Sequence, residues 1–446
     1  MRGAKIILAA GILATAMDPR AQDGPYKRSV PAVPIVAPLP PSPPETARMA
    51  KPPTVTVELA VDARGRVTDV KTTDIHPKSK LDAVFKEAAV TALKAWRFAP
   101  AVEGDAFAPT TVKMQVQFTR PSGAAPDAFS PSLFSFYEEA DPYAAAVDRW
   151  LARMASEERL QALREIVSAG EAAVDPARRQ AFDSPSFSVI CEASEPDTAK
   201  KIAANLEAVT HTLESSLLPG LTLQPADERL ATFVYASQPA FLSLAGSASV
   251  PVIGPGFYGG VGILAFHRDV GTSEELLAIL LHEATHAFVH RRLTRPGVNL
   301  PLWLSEGLAE YVGNSDIEKG KIVLGSHKPF RIYHRPGETF RQKSIATVGA
   351  NEVKAALRDG RALTVERLLS APPTKFRDAD HAMYYAESWL LVHYLRHGKP
   401  EWADREFPSF LLYAAEGFAL DDAIARVYGL SGPELEAGFK DYVAAF

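Results

Sequence analysis

His282 and His286 stand four residues apart, with Glu283 directly after the first, in the run His-Glu-Ala-Thr-His of a 446-residue chain. On a helix this spacing puts both imidazoles on one face about one turn apart, within reach of a single metal ion. It displaces Glu283 toward an open coordination position. Neutral imidazole suits Zn2+, which polarises a carbonyl and lowers the pKa of a bound water to about 7 while a nearby carboxylate accepts its proton. Zn2+ is therefore the expected cofactor and Glu283 the expected general base of a hydrolysis. A catalytic zinc site takes three protein ligands. The chain has one cysteine, Cys191, and no CxxC pair, so the donors must be His, Asp or Glu. Glu306 follows His286 by 20 residues within LPLWLSEGLAEYV and completes a His2Glu set from a second helix. Glu310, one turn further on, can hydrogen-bond a ligand histidine and fix its tautomer.

The elements that must hold these residues are legible. Thr272-Ser273-Glu274-Glu275 reads as a capping box opening the helix LLAILLHEATHAFVHRRL. Asn299 or Leu300 caps the second helix, with Pro301 at its start. Upstream, strands are expected at Phe187 to Cys191, Thr232 to Tyr235 and Val261 to Phe266, with a helix from Asp197 to Leu218. Gly254 to Gly262 is glycine-rich without the GxGxxG order of a phosphate loop. His290 continues the histidine row, but a third helical turn carries it away from a metal, so it is expected to be solvated or to support a ligand. Cys191 is expected as a buried, inert thiol, and Arg291, Arg292 and Arg295 as a solvated helix end.

HEATHAF, PLWLSEGLAEY and GFYGG together resemble the peptidase MA-like family of gluzincin metallopeptidases, over about residues 187–430. The metzincin continuation is absent, because Val289 and Arg292 stand where that pattern has Gly and His. The resemblance implies a mainly helical, thermolysin-like domain with a mixed sheet, with His282, His286 and Glu306 as zinc ligands and Glu283 as base. YYAESWLLVHYL is similar to the aminopeptidase helix whose leading tyrosine donates to the oxyanion. That implies Tyr385 in this role, with Tyr384 the alternative. The strand Gly260 to Phe266 would pair along the substrate. The aminopeptidase glutamate that captures a free α-amine is not found.

Toward the amino terminus, Arg2 and Lys5 precede an uncharged run from Ile6 to Met17 that ends near Ala14-Thr15-Ala16. This reads as a cleaved signal peptide, residues 1–16, since a span needs about 20 apolar residues. The expected location is periplasmic or secreted, with no stable membrane span after cleavage. Nine of the 23 residues from Pro31 to Pro53 are proline, which predicts a polyproline II spacer within the linker 17–53. Residues 54–119 then read as ββαβ: a hairpin around Asp62-Ala63-Arg64-Gly65, a helix with an apolar stripe from Leu81 through Val84, Phe85, Ala89 and Leu93 to Trp96, and a strand through Val112 to Phe118.

VTVELAVDARGRVTDV, LDAVFKEAAVTALKAWRFAPA and TTVKMQVQFT, with Trp96-Arg97-Phe98-x-Pro100, resemble the TonB C-terminal domain. The resemblance implies a small α/β domain whose strand edge pairs with an extended segment of an envelope protein partner. Residues 120–180 form a loop and a helical connector starting near Asp141, and residues 181–446 the metallopeptidase-like domain. The whole is expected to be an α+β multidomain protein. Its 48 basic and 53 acidic residues, net charge −5, exclude the electrostatic footprint of a nucleic-acid binder. The expected reading is a zinc metallopeptidase acting on peptide or protein substrates. The alternative is a non-catalytic envelope adaptor working through its TonB-like domain.

Overall fold

A computed structural model of the chain describes residues 5–7, 29–30, 32–37, 40, 42–103, 106–118, 156–219, 223, 228–247, 255–259, 262–268, 273–294, 299–318, 321–325, 350–376 and 381–446. It is a mixed α and β structure that divides into two compact units, Met1–Ala173 with Gln238–Val252, and Val174–Ser237 with Ile253–Phe446.

The first unit contains β1 (Lys5–Ile7), β2 (Ser29–Val30), β3 (Val33–Val36), β4 (Thr54–Val61), β5 (Val67–His76), α1 (Asp82–Lys94), β6 (Arg97–Ala99), β7 (Ala101–Glu103), β8 (Ala106–Ala108), β9 (Thr110–Gln117) and α2 (Ser156–Ala172). Its main sheet has the order β1-β9-β4-β5, all antiparallel. Strict alternation along β4 buries Val55, Val57, Leu59 and Val61, while the residues between them stay partly exposed. The β4–β5 turn forms because Asp62 Oδ1 accepts from the N–H groups of Arg64 and Arg66 at 2.9 and 2.8 Å, with Gly65 at φ 76°. Helix α1 packs Phe85, Ala89 and Leu93 onto this sheet. Phe85 meets Phe118 edge-on at 5.0 Å, and Trp96 lies 5.9 Å from Phe98. Each such aromatic contributes about 2 to 3 kcal/mol by burial. The expected stripe is too wide on one side: Val84 is 37% exposed, so the buried row is the narrower i, i+4, i+8 line.

The proline-rich segment departs from the expected free spacer. β2 pairs with β7, β3 pairs with β6, and Pro44–Arg48 forms a 3-10 turn. Proline lacks an N–H but is tolerated on edge strands and at bulges, and the β3 register slips between Pro34 and Val36. β1 falls within the expected signal peptide and pairs with β9. Ala14-Thr15-Ala16 lies outside the described residues, as does the start of the connector helix before Ser156.

The second unit opens with a five-stranded mixed sheet in the order β10-β11-β12-β14-β13. Its strands are β10 (Arg179–Asp183), β11 (Phe187–Glu192), β12 (Leu230–Tyr235), β13 (Gly256–Gly259) and β14 (Ile263–His267). β11, β12 and β14 run parallel, and β10 and β13 close the two edges antiparallel. α3 (Thr198–Thr212) links β11 to β12 and lays Ala199, Ile202, Ala203, Leu206 and Val209 in the core. α4 (Gln238–Ser247) follows β12 in sequence but belongs to the first unit, where it packs with α2.

Next come α5 (Ser273–Phe288), continued by a π-helical turn through Leu293, then α6 (Leu302–Gly313), the hairpin β15 (Asp316–Glu318) and β16 (Lys321–Val323), α7 (Ala350–Arg358), α8 (Val365–Leu369), α9 (His381–His397), α10 (Glu406–Ala415), α11 (Leu420–Tyr428) and α12 (Gly432–Ala445). Thr272, the expected cap of α5, lies outside the described residues. α6 begins at Leu302 with Pro301 as its N-cap. α9 is buried on all sides from Ala386 to Arg396 and forms the spine of the helical layer. α6 lies tightly on it, since a Cβ at Gly307 would stand 2.6 Å from the Ser388 carbonyl oxygen.

Candidate metal centre

Helix α5 presents His282 and His286 one turn apart, their rings 4.8 Å between centroids and nearly perpendicular. Helix α6 brings Glu306 to the same point. The His282 and His286 Nε2 atoms are 3.1 Å apart, and Glu306 Oε2 stands 3.5 and 3.6 Å from them. Tetrahedral zinc with bonds of 2.0 to 2.2 Å separates its ligand atoms by about 3.4 Å. The three donors therefore already sit near the edges of one face of such a tetrahedron. They are the one group of three or more His, Cys, Asp or Glu able to hold a metal ion among the described residues. Two imidazoles and one carboxylate, with a further position left for water, are the donor set that zinc accepts.

A second layer fixes both rings. Glu310 Oε1 stands 3.0 Å from His282 Nδ1, and Ser305 Oγ stands 3.1 Å from His286 Nδ1. With its Nδ1–H donated outward, each ring in its neutral form would turn an unprotonated Nε2 toward the common point. Asn314 holds Glu310 in turn, its Nδ2 donating to the Glu310 main-chain carbonyl at 2.9 Å and lying 3.4 Å from Oε2.

Burial sets the electrostatics. It alone would lower the His282 imidazole, but the charge of Glu310 and hydrogen bonds to Glu306 and Glu310 raise it well above its ordinary value. Burial alone would raise Glu306; His286, followed by His282, outweighs it and holds that carboxyl far below the usual range. Burial raises Glu283 and Glu310 above the usual carboxylate range, partly offset by the histidines. Glu283 is partly buried beside the three donors without being one of them. The main-chain N–H of Tyr258 on β13 donates to its carboxylate.

The other expected residues have the following surroundings. Tyr385 stands in the first turn of α9, half-buried, its ring 5.4 Å from Phe376 and 6.5 Å from His381. Tyr384 is buried against the same Phe376 at 5.5 Å, so of the two only Tyr385 keeps a partly open face. His290 pairs through Nδ1 with Tyr258 Oη at 2.8 Å, a contact that brings β13 and the end of α5 together. Arg291 and Arg292 are not simply solvated: Arg291 donates to the Glu228 carbonyl and Arg292 pairs with Glu214 at 2.9 Å. Arg295 lies outside the described residues. Cys191 is buried, and desolvation raises its thiol.

One expectation about the sheet is corrected. β14, which contains most of Gly260 to Phe266, is paired on both sides, with β12 and with β13. A strand with both edges occupied has no main-chain groups left for a third; among the described residues the strand that ends the sheet on the side of α5 is β13. Ser305, Asn314, Gly256 and Tyr258 escaped sequence reasoning. Ser305 could have been found from its place beside Glu306. The others become visible only when α5, α6 and β13 are placed together.

Residues 39–119 match the family described as Gram-negative bacterial TonB protein C-terminal. The match begins 15 residues before the ββαβ unit, in the proline-rich segment. No curated protein matches the chain. Among the described residues no helix is long and apolar enough to cross a membrane. The chain thus carries a TonB C-terminal domain at residues 39–119, which supports an envelope-associated protein with interactions among envelope proteins.

Proposed function

We propose that the second unit is a gluzincin-type zinc metallopeptidase that hydrolyses peptide bonds in the periplasm or outside the cell. His282, His286 and Glu306 hold the metal. The observation that carries this reading is the convergence of two Nε2 atoms and one carboxylate oxygen at tetrahedral spacing, with a further partly buried carboxylate, Glu283, beside them. A bound zinc ion would supply Lewis acidity for the scissile carbonyl and for an attacking water.

The protein's own groups do the rest. As the water oxygen forms its bond to the carbonyl carbon, a Glu283 Oε atom takes the released proton. It then passes that proton to the amide nitrogen as the C–N bond breaks. Burial raises Glu283, bringing its affinity for the proton closer to what both transfers need. The donor to the developing oxyanion that the resemblance of YYAESWLLVHYL implies is Tyr385. The TonB C-terminal domain supports the placement in the envelope and provides a site for a protein partner.

The test is digestion of a mixed peptide library by the purified chain beside Glu283→Gln. Loss of turnover by at least about 100-fold in the variant, with zinc retained, is the expected result. Equal cleavage by both proteins contradicts the assignment.

A further inference from the structure

We infer that Gly256 and Tyr258, on the edge strand β13, are positioning residues that hold the Glu283 carboxylate in its working orientation. Three observations on one short strand point the same way.

The first is a space that only glycine can leave. A Cβ at Gly256 would lie 2.8 Å from Ile279 Cγ2, 2.9 Å from Phe266 Cδ1 and 3.0 Å from Glu283 Cγ. Two of those atoms belong to α5, one of them on Glu283 itself. β13 therefore lies on the helix with no room for a methyl group, and its backbone fixes where the Glu283 side chain can go. The second is the main-chain N–H of Tyr258, which donates to the Glu283 carboxylate. Among the described residues β13 ends the sheet and pairs with β14. The third is the Tyr258 side chain, whose hydroxyl lies 2.8 Å from His290 Nδ1, two helical turns beyond His282. The strand is thus tied to the helix at both ends: close packing at Gly256 and a hydrogen bond at Tyr258. Glu283 lies between the two ties.

This inference rests on the reading of Glu283 as the base. Residues that merely scaffolded the unit would change stability or metal content together with activity. Residues that aim a base change the chemical step alone, and a displacement of about 1 Å costs up to about 100-fold.

The experiment compares wild type, Glu283→Gln, Gly256→Ala and Tyr258→Phe as zinc-loaded full-length chains, with zinc content and Tm measured beside kcat and KM. Gly256→Ala is expected to keep one zinc per chain and a KM within about twofold of wild type, with kcat down roughly 10- to 100-fold. Tyr258→Phe keeps the main-chain N–H and loses only the tie to His290, so a smaller fall in kcat is expected, again without loss of zinc. Wild-type kcat in both variants overturns the inference, as does a rise in KM alone, which would assign the strand to substrate binding. If Gly256→Ala fails to fold, Tyr258→Phe decides the matter by the same split. Full activity in Glu283→Gln is a separate failure, that of the peptidase reading itself.

Discussion

Glu310 Oε1 stands 3.0 Å from His282 Nδ1, on the opposite side of the ring from the Nε2 that faces Glu306. The carboxylate orients the ring and makes its Nε2 a stronger donor. Glu310→Ala should therefore lower zinc affinity by about 10- to 100-fold while leaving all three ligands in place. Competition with a chromophoric chelator measures this, and unchanged affinity would remove Glu310 from the site.

Ser305 does the same for His286 with a neutral group, at 3.1 Å. A neutral hydrogen bond is roughly half as strong as a charge-assisted one. Ser305→Ala should weaken zinc binding less than Glu310→Ala in the same competition assay, and the reverse order would contradict the tautomer assigned to His286.

Glu387 on α9 is buried, accepts the Leu363 N–H at 3.0 Å, and is pushed up to about 8 by burial, with the charge of Glu436 adding to it. Below about pH 4.5 the side chain is protonated in the folded and unfolded chains alike and contributes nothing to pH dependence. Between there and about pH 8 the unfolded chain releases the proton that the folded chain retains, so stability falls as pH rises, by on the order of 5 kcal/mol. Above that range both forms are ionised and the loss is constant. Glu387→Gln keeps an acceptor for Leu363 and should raise Tm at pH 8 while leaving it nearly unchanged at pH 4. Parallel Tm curves for the two proteins across this range would contradict the shift.

Gly307 lets α6 approach α9, and Gly307→Ala forces its new methyl against the Ser388 carbonyl. Separating the two helices should cost about 1 to 3 kcal/mol in urea unfolding. It should also loosen zinc, because Glu306 is the adjacent residue. Unaltered stability would mean that α6 and α9 are not in such close contact.

The histidine pair and its glutamate were legible because i, i+4 spacing on a helix is a geometric statement that needs no tertiary information. Glu306 and Glu310 followed because the chemistry demanded a carboxylate and a short amphipathic helix supplied two, one turn apart. In the first unit the alternation of Val55, Val57 and Leu59 announced a half-buried strand, and Phe85, Ala89 and Leu93 announced the helix face above it. What lay beyond reach was adjacency between distant segments. Strand order placed β13 outside β14, and nothing in either strand's own pattern says which of two consecutive strands closes a sheet. Tyr258 reaches Glu283 and His290 only through that order. The proline-rich segment misled for a related reason: proline content speaks against interior strands, yet Val33–Val36 pairs at an edge with a slipped register, where the missing N–H is harmless.

Metal analysis of the purified chain tests the central claim most directly, with wild type, Glu283→Gln and His286→Ala compared under conditions that preserve loosely held metal. One zinc per chain in wild type and in Glu283→Gln, and its loss in His286→Ala, is the result expected from a site built by His282, His286 and Glu306. Wild-type protein without zinc, or zinc undiminished in His286→Ala, would contradict it.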